Sequence, residues 1–169
     1  MKKLLVGAAL VAAVSLPGTA EAQVEISPHA AFANDVDFGI GAIIGFPLES
    51  LHEAIEGAGS FTLYFPGDNL GYWEINAMLR YLVELANPDI LPYVTAGLGI
   101  GNYSVDIDIP DIPGFGGFGF SGTEVGLKVG GGAKFNPDSS LQPFAEFLLG
   151  LGNIPDFTVR GGVTFKVGG

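Results

Sequence analysis

Phe157-Thr158-Val159-Arg160-Gly161-Gly162-Val163-Thr164-Phe165-Lys166-Val167 decides the fold. Odd positions are apolar or Gly. Even positions are Thr, Arg, Gly, Thr and Lys. A period of two is the signature of a β-strand with one apolar and one polar face. The same alternation runs backwards through the chain. Val125, Leu127, Val129, Gly131, Ala133 and Phe135 oppose Glu124, Gly126, Lys128, Gly130, Gly132 and Lys134. Trp73, Ile75, Ala77, Leu79 and Tyr81 oppose Tyr72, Glu74, Asn76, Met78, Arg80 and Leu82.

Weaker segments follow the same rule. They lie around Phe38–Phe46, Ile55–Phe65, Tyr93–Gly101 and Leu141–Leu151. The first begins near Glu25, where Pro28 suggests a strand start or a bulge. Eight strands result. Turn residues separate them, as in Asn34-Asp35, Pro66-Gly67-Asp68-Asn69, Asn87-Pro88-Asp89 and Asn136-Pro137-Asp138. Only the fifth connection reads as long, from Ser104 to Gly122. Asn87-Pro88-Asp89 with Pro92-Tyr93 recurs as Asn136-Pro137-Asp138 with Pro143-Phe144. Either duplication of a hairpin pair or like turns recruiting like residues accounts for it.

The N-terminus has a different pattern. Lys2 and Lys3 precede an apolar stretch, Leu4–Leu16, and Ala20-Glu21-Ala22 is a small-x-small cleavage site. Residues 1–22 therefore read as a cleaved signal peptide, and residues 23–169 as the mature domain. Cleavage would remove Lys2, Lys3 and Glu21, leaving the mature chain one unit more acidic than the −11 of the whole chain. That acidity excludes nucleic acid as a partner, because phosphate binding needs a basic face. The absence of Cys excludes a disulfide scaffold, thiol chemistry and a lipid-modified N-terminal Cys.

The orientation of the faces decides the class. The polar faces are dense in Gly, at positions such as 97, 99, 101, 126, 130 and 132, beside long charged side chains. That suits an inward face in a narrow lumen better than a surface in water. The apolar faces carry aromatics near the strand ends: Phe38, Phe46, Phe61, Phe65, Trp73, Tyr81, Phe135, Phe157 and Phe165. These form the expected interfacial girdles of a membrane barrel. The expected fold is all-β, an eight-stranded antiparallel up-and-down transmembrane β-barrel.

At this point the chain resembles the small outer-membrane β-barrel family, the OmpA/OmpX-like and opacity-protein-like group. The resemblance rests on the signal peptide, the eight strands and the closing Gly161-Gly162-Val163-Thr164-Phe165, after which Lys166-Val167-Gly168-Gly169 follow. It implies a bacterial outer-membrane location, both termini in the periplasm, and the Ser104–Gly122 connection outside. It also implies contact with outer-membrane lipid and with the barrel-assembly machinery during biogenesis. The surface partner is left open.

The inward faces gather a charge set: Glu25, Glu56, Glu74, Glu124 and Glu146 against Arg80, Lys128, Lys134, Arg160 and Lys166. Buried charges must pair, so the expectation is a salt-bridged, plugged lumen. The function expected is non-enzymatic, in envelope structure or surface interaction. One alternative is a small passive channel through the same charges. Another is a soluble exported lipocalin-like barrel binding an apolar ligand. His29 and His52 fall on the polar faces near strand ends and are expected to lie close together. With Glu25 or Glu53 they lack a diagnostic metal spacing. No Ser stands two residues after either His, and the last four strands hold no His. No catalytic, cofactor or metal residue is assigned. Asp106, Asp108 and Asp111 form an acidic loop expected outside, where divalent cations would bridge it to anionic lipid.

Overall fold

The computed structural model describes residues 24–67, 70–107 and 118–167. Eight strands close on themselves in sequence order. They are β1 (Val24–Ala33), β2 (Asp37–Pro47), β3 (Ile55–Tyr64), β4 (Leu70–Leu82), β5 (Ile90–Ile107), β6 (Phe118–Phe135), β7 (Leu141–Gly152) and β8 (Phe157–Val167). Neighbours are antiparallel, and β1 pairs with β8 to complete the barrel. The signal-peptide reading of residues 1–22 lies outside the described residues.

Most of the barrel inverts the faces of a soluble protein, although Ile43, Met78, Phe144 and Leu148 form an apolar cluster inside. Val94, Leu98, Leu127, Leu151, Leu79 and Phe38 are exposed on the exterior. Glu74, Lys128, Glu146, Arg160, Asn76 and Thr62 are buried within. In water this arrangement would be costly on both counts, because apolar surface is hydrated and charge is not. In a bilayer it is the stable one, since strands satisfy their backbone groups around a closed ring and show lipid an apolar face.

Glycines make room for the large inner side chains. A Cβ at Gly39 would meet the Tyr64 ring at 2.8 Å, and one at Gly132 would meet the Tyr93 ring at 2.7 Å. At Gly97 it would strike the Ala77 carbonyl oxygen and come 2.7 Å from the Met78 Cα, a backbone atom that cannot swing aside. Gly59 has nothing within 4 Å. Gly97→Val is therefore expected to cost about 1–3 kcal/mol by overpacking. Gly59→Ala is expected to be neutral or slightly stabilising. Urea unfolding of the two variants in detergent micelles reads the difference.

Two strand expectations change. Pro28 makes no bulge. Ile26 pairs with Phe165 and His29 with Gly162 in one unbroken register, and only the pairs at Ser27 and Pro28 are missing. Pro has no N–H to give β8. The Ser27 and Thr164 hydroxyls lie 2.7 Å apart across that gap and hydrogen-bond. The Ser104–Gly122 connection is shorter than expected, because β5 and β6 each run for 18 residues. Ser104 pairs with Ser121, and the ladder continues to Ile107 and Phe118. Asp106 thus belongs to β5, in register with Gly119. Asp108 and Asp111 lie outside the described residues.

The two ends of the barrel differ. One holds both chain termini and the turns after β2, β4 and β6 (the terminus end). The other holds the turns after β1 and β7 and the projecting β5–β6 hairpin (the hairpin end). At the terminus end, two turns that look alike in sequence meet: Asn136 N donates to Asp89 O at 2.8 Å.

Candidate functional site: the charged lumen

Inward positions on six strands place eight charged side chains in one column. Lys134 stands nearest the terminus end and donates to Glu25 Oε2 at 2.6 Å and to Glu56 Oε1 at 2.6 Å. Glu56 lies 3.9 Å from Arg80, its direct cross-strand partner. Arg80 reaches across the barrel to Glu146 Oε2 at 2.9 Å, and its guanidinium sits 4.8 Å over the Tyr93 ring. Tyr93 donates its hydroxyl to the same Glu146 oxygen at 2.9 Å. Arg160, paired with Glu146 in the β7–β8 ladder, donates to Glu146 Oε1 at 2.5 Å.

The line continues towards the hairpin end through neutral groups. Arg160 donates to Ser60 Oγ at 3.1 Å, and Asn76 Nδ2 donates to the same oxygen at 3.1 Å. Asn76 also donates to Glu74 Oε1 at 2.9 Å. Lys128 donates to that oxygen at 2.7 Å and lies 3.3 Å from Thr158 Oγ1. Lys128 and Glu74 are 0% and 1% exposed at their side chains, the driest pair in the column. The charges balance, with Glu25, Glu56, Glu74 and Glu146 facing Arg80, Lys128, Lys134 and Arg160.

Four of these ties span the lumen rather than adjacent strands: Lys134–Glu25, Lys134–Glu56, Arg80–Glu146 and Lys128–Glu74. Partners of opposite sign and hydrogen bonds from Tyr93, Asn76 and Tyr72 offset the desolvation that burial imposes.

Two residues expected in the column stand apart. Lys166 is exposed and donates to the Pro137 carbonyl at 3.0 Å. It sits in the last turn of sequence before the strand ends, level with Glu25, where water reaches it. Glu124 is half-buried at the hairpin end and makes no ion pair among the described residues. The expected proximity of His29 and His52 is also corrected. His29 is buried midway along β1, with Nε2 3.0 Å from Thr62 Oγ1. His52 lies in the β2–β3 turn beyond Pro47, where its Nδ1 accepts from Ala54 N at 3.0 Å.

Each mouth holds further buried groups, some of them in turns that the alternation could not reveal. At the hairpin end Ile154, from the β7–β8 turn, is buried against the positions of Gly99, Gly126 and Gly150. Val36, Tyr64 and Tyr72 form a buried cluster with Ala31 and Ala33 at the same end, and the two Tyr rings are 5.6 Å apart. Above them is a cavity of about 410 Å³ lined by Asp35, Val36, Tyr72, Glu124, Gly152, Asn153, Ile154, Pro155 and Asp156. At the terminus end, Gln142 donates to the Pro137 and Ser139 carbonyls and, with Lys166, fastens the β6–β7 turn. Ile154 and Val36 sit in turns, where period two says nothing. Ser60, Asn76 and Thr158 were readable as inward positions, but nothing in their spacing singles them out as bridges.

On the exterior, Phe46, Tyr81, Phe135 and Phe165 lie towards the terminus end and Phe38, Phe61, Phe65, Trp73 and Phe157 towards the hairpin end. Their rings associate in pairs: Phe38–Phe65 at 6.5 Å, Phe61–Trp73 at 6.3 Å, and Phe147–Phe157 at 5.0 Å. Phe32 and Phe147 extend the second group beyond the expected set.

This geometry has close counterparts among solved structures. The N-terminal β-barrel domain of Pseudomonas aeruginosa OprF matches with a TM-score of 0.64 at 21% identity, over 86% of this chain and 97% of that one. The chain has the fold of the small outer-membrane barrels. Neisserial surface protein A matches at 0.58 and 19% identity, over 86% of this chain and 96% of that one. Ail, the attachment invasion locus protein of Yersinia pestis, matches at 0.55 and 16% identity, over 87% and 98%. Ail is also known in complex with the heparin analogue sucrose octasulfate. No protein-family model matches the chain, and no curated protein matches it in sequence.

Proposed function

We propose that the chain is a non-enzymatic, surface-exposed barrel of a bacterial outer membrane, with a lumen closed by its own side chains. The observation that carries this reading is the unbroken line of charge pairs and hydrogen bonds from Lys134 to Lys128. A channel would need that line interrupted. A soluble carrier of an apolar ligand would need an apolar interior, and here the interior holds the charges. Lipid acyl chains would meet the exterior, the assembly machinery would insert it, and the hairpin end would face out of the cell. The protein would serve envelope structure or surface contact rather than transport.

The ligand of Ail does not transfer with the fold. Sucrose octasulfate is a polyanion. Four of the five basic residues of β1–β8 are buried in the lumen, the fifth, Lys166, stands at the terminus end, and the described turns at the hairpin end offer Asp35 and Asp156.

The absence of Cys makes location directly measurable. Ser121→Cys on the hairpin should react with a membrane-impermeant maleimide on intact cells. Ser50→Cys, in the β2–β3 turn, should react only after lysis. Folded protein should migrate faster than boiled protein on a gel. Equal labelling of both, or recovery of the chain in the aqueous extract, overturns the reading.

A further inference from the structure

The alternation changes sign where the β5–β6 hairpin leaves the barrel. Outward positions are Val94, Ala96, Leu98 and Ile100 on β5, then Asn102 and Ser104. On β6 they are Val129, Leu127 and Val125, then Thr123 and Ser121. Inward positions do the reverse. Gly97, Gly99 and Gly101 give way to Tyr103, and Lys128, Gly126 and Glu124 give way to Gly122 and Phe120. Asn102 marks the crossover, where Nδ2 donates to the Gly122 carbonyl at 2.9 Å. Beyond it the hairpin turns a polar face outward and an aromatic face towards the barrel axis. On that face Phe120 is 63% exposed and Tyr103 36%.

The same segment has a free backbone edge. β7 ends at Gly152, which pairs with Gly126. From Phe118 to Val125, β6 pairs with β5 alone among the described residues. Its other row of N–H and C=O groups is open to a further strand. Immediately below lies the cavity lined by Glu124, Asp35 and Asp156, which carries three carboxylates and no Lys or Arg.

We propose that the β6 edge from Phe118 to Val125 receives an extended, cationic peptide segment. Its backbone adds to the free edge, its apolar side chains lie against Phe120 and Tyr103, and its basic side chains enter the acidic cavity beside Glu124. Main-chain pairing supplies affinity, and the side chains of one face supply selection. Charge complementarity fixes the sign of the partner: a second copy of this chain would bring like charges together, and a polyanion would be repelled. This inference rests on the hairpin end facing outward, as proposed above. The cysteine-labelling experiment tests that orientation separately.

The test uses the folded full barrel in lipid nanodiscs and a short fluorescent peptide. The peptide carries Thr on one face and two Val followed by two Lys on the other. Anisotropy should show saturable binding. Replacing the two Lys by Glu should weaken it about tenfold or more, as should Glu124→Gln or Phe120→Ser in the protein. N-methylation of alternate peptide nitrogens keeps every side chain and charge but blocks pairing, and it should abolish binding. The peptide changes leave the protein untouched, so they stand even if a variant folds poorly. Equal binding of the N-methylated and parent peptides overturns the edge. Wild-type affinity in heat-modifiable Glu124→Gln and Phe120→Ser variants overturns the site.

Discussion

Glu146→Ala should destabilise the folded barrel by about 3–5 kcal/mol, the cost of leaving a buried charge without its partner. Glu146 is the one acid that neutralises two guanidinium groups, Arg80 at 2.9 Å and Arg160 at 2.5 Å, and it also accepts the Tyr93 hydroxyl. Its removal strands both cations at the middle of the barrel. Arg80 retains only the longer contact with Glu56, at 3.9 Å, and Arg160 retains Ser60. Urea unfolding of the refolded variant, followed by heat-modifiability, should show the midpoint falling sharply. An unchanged midpoint would mean that water reaches these groups freely.

The second large effect concerns Glu74 and Lys128. Each single change, Glu74→Gln or Lys128→Met, is expected to cost about 3–5 kcal/mol, because the remaining charge stays buried without its partner. The double variant should cost well under the sum of the two. A buried pair replaced as a unit loses its desolvation cost together with its attraction. Unfolding free energies of the four proteins give the coupling directly. Additivity within about 0.5 kcal/mol would show that the pair does not act as one.

The strands and their faces were legible because alternation repeats on every one of them, and one face must meet lipid. Arg160 illustrates this: Val159 and Gly161 beside it, and the same pattern on seven other strands, leave it only the interior. Pairing partners were less legible. Arg80 and Glu146 are far apart in the chain, and their meeting depends on the register and curvature of a closed sheet. Lys166 shares the parity of Arg160 but stands where the lumen opens to water, so parity alone overstated its burial. Ile154 shows the opposite case. It lies between Asn153 and Pro155 in a turn, and its burial follows from three glycines on other strands that leave space for it. The projecting hairpin was hidden because its faces exchange character at Asn102, so a reading keyed to apolar-outward residues ended the strand too early.

Under the proposed reading the lumen is closed by its own charges. Planar-bilayer recording of the refolded wild-type barrel tests it most directly. The membrane should stay silent, with no discrete openings under applied voltage. Steady, discrete ion-conducting openings from heat-modifiable wild-type protein would contradict it.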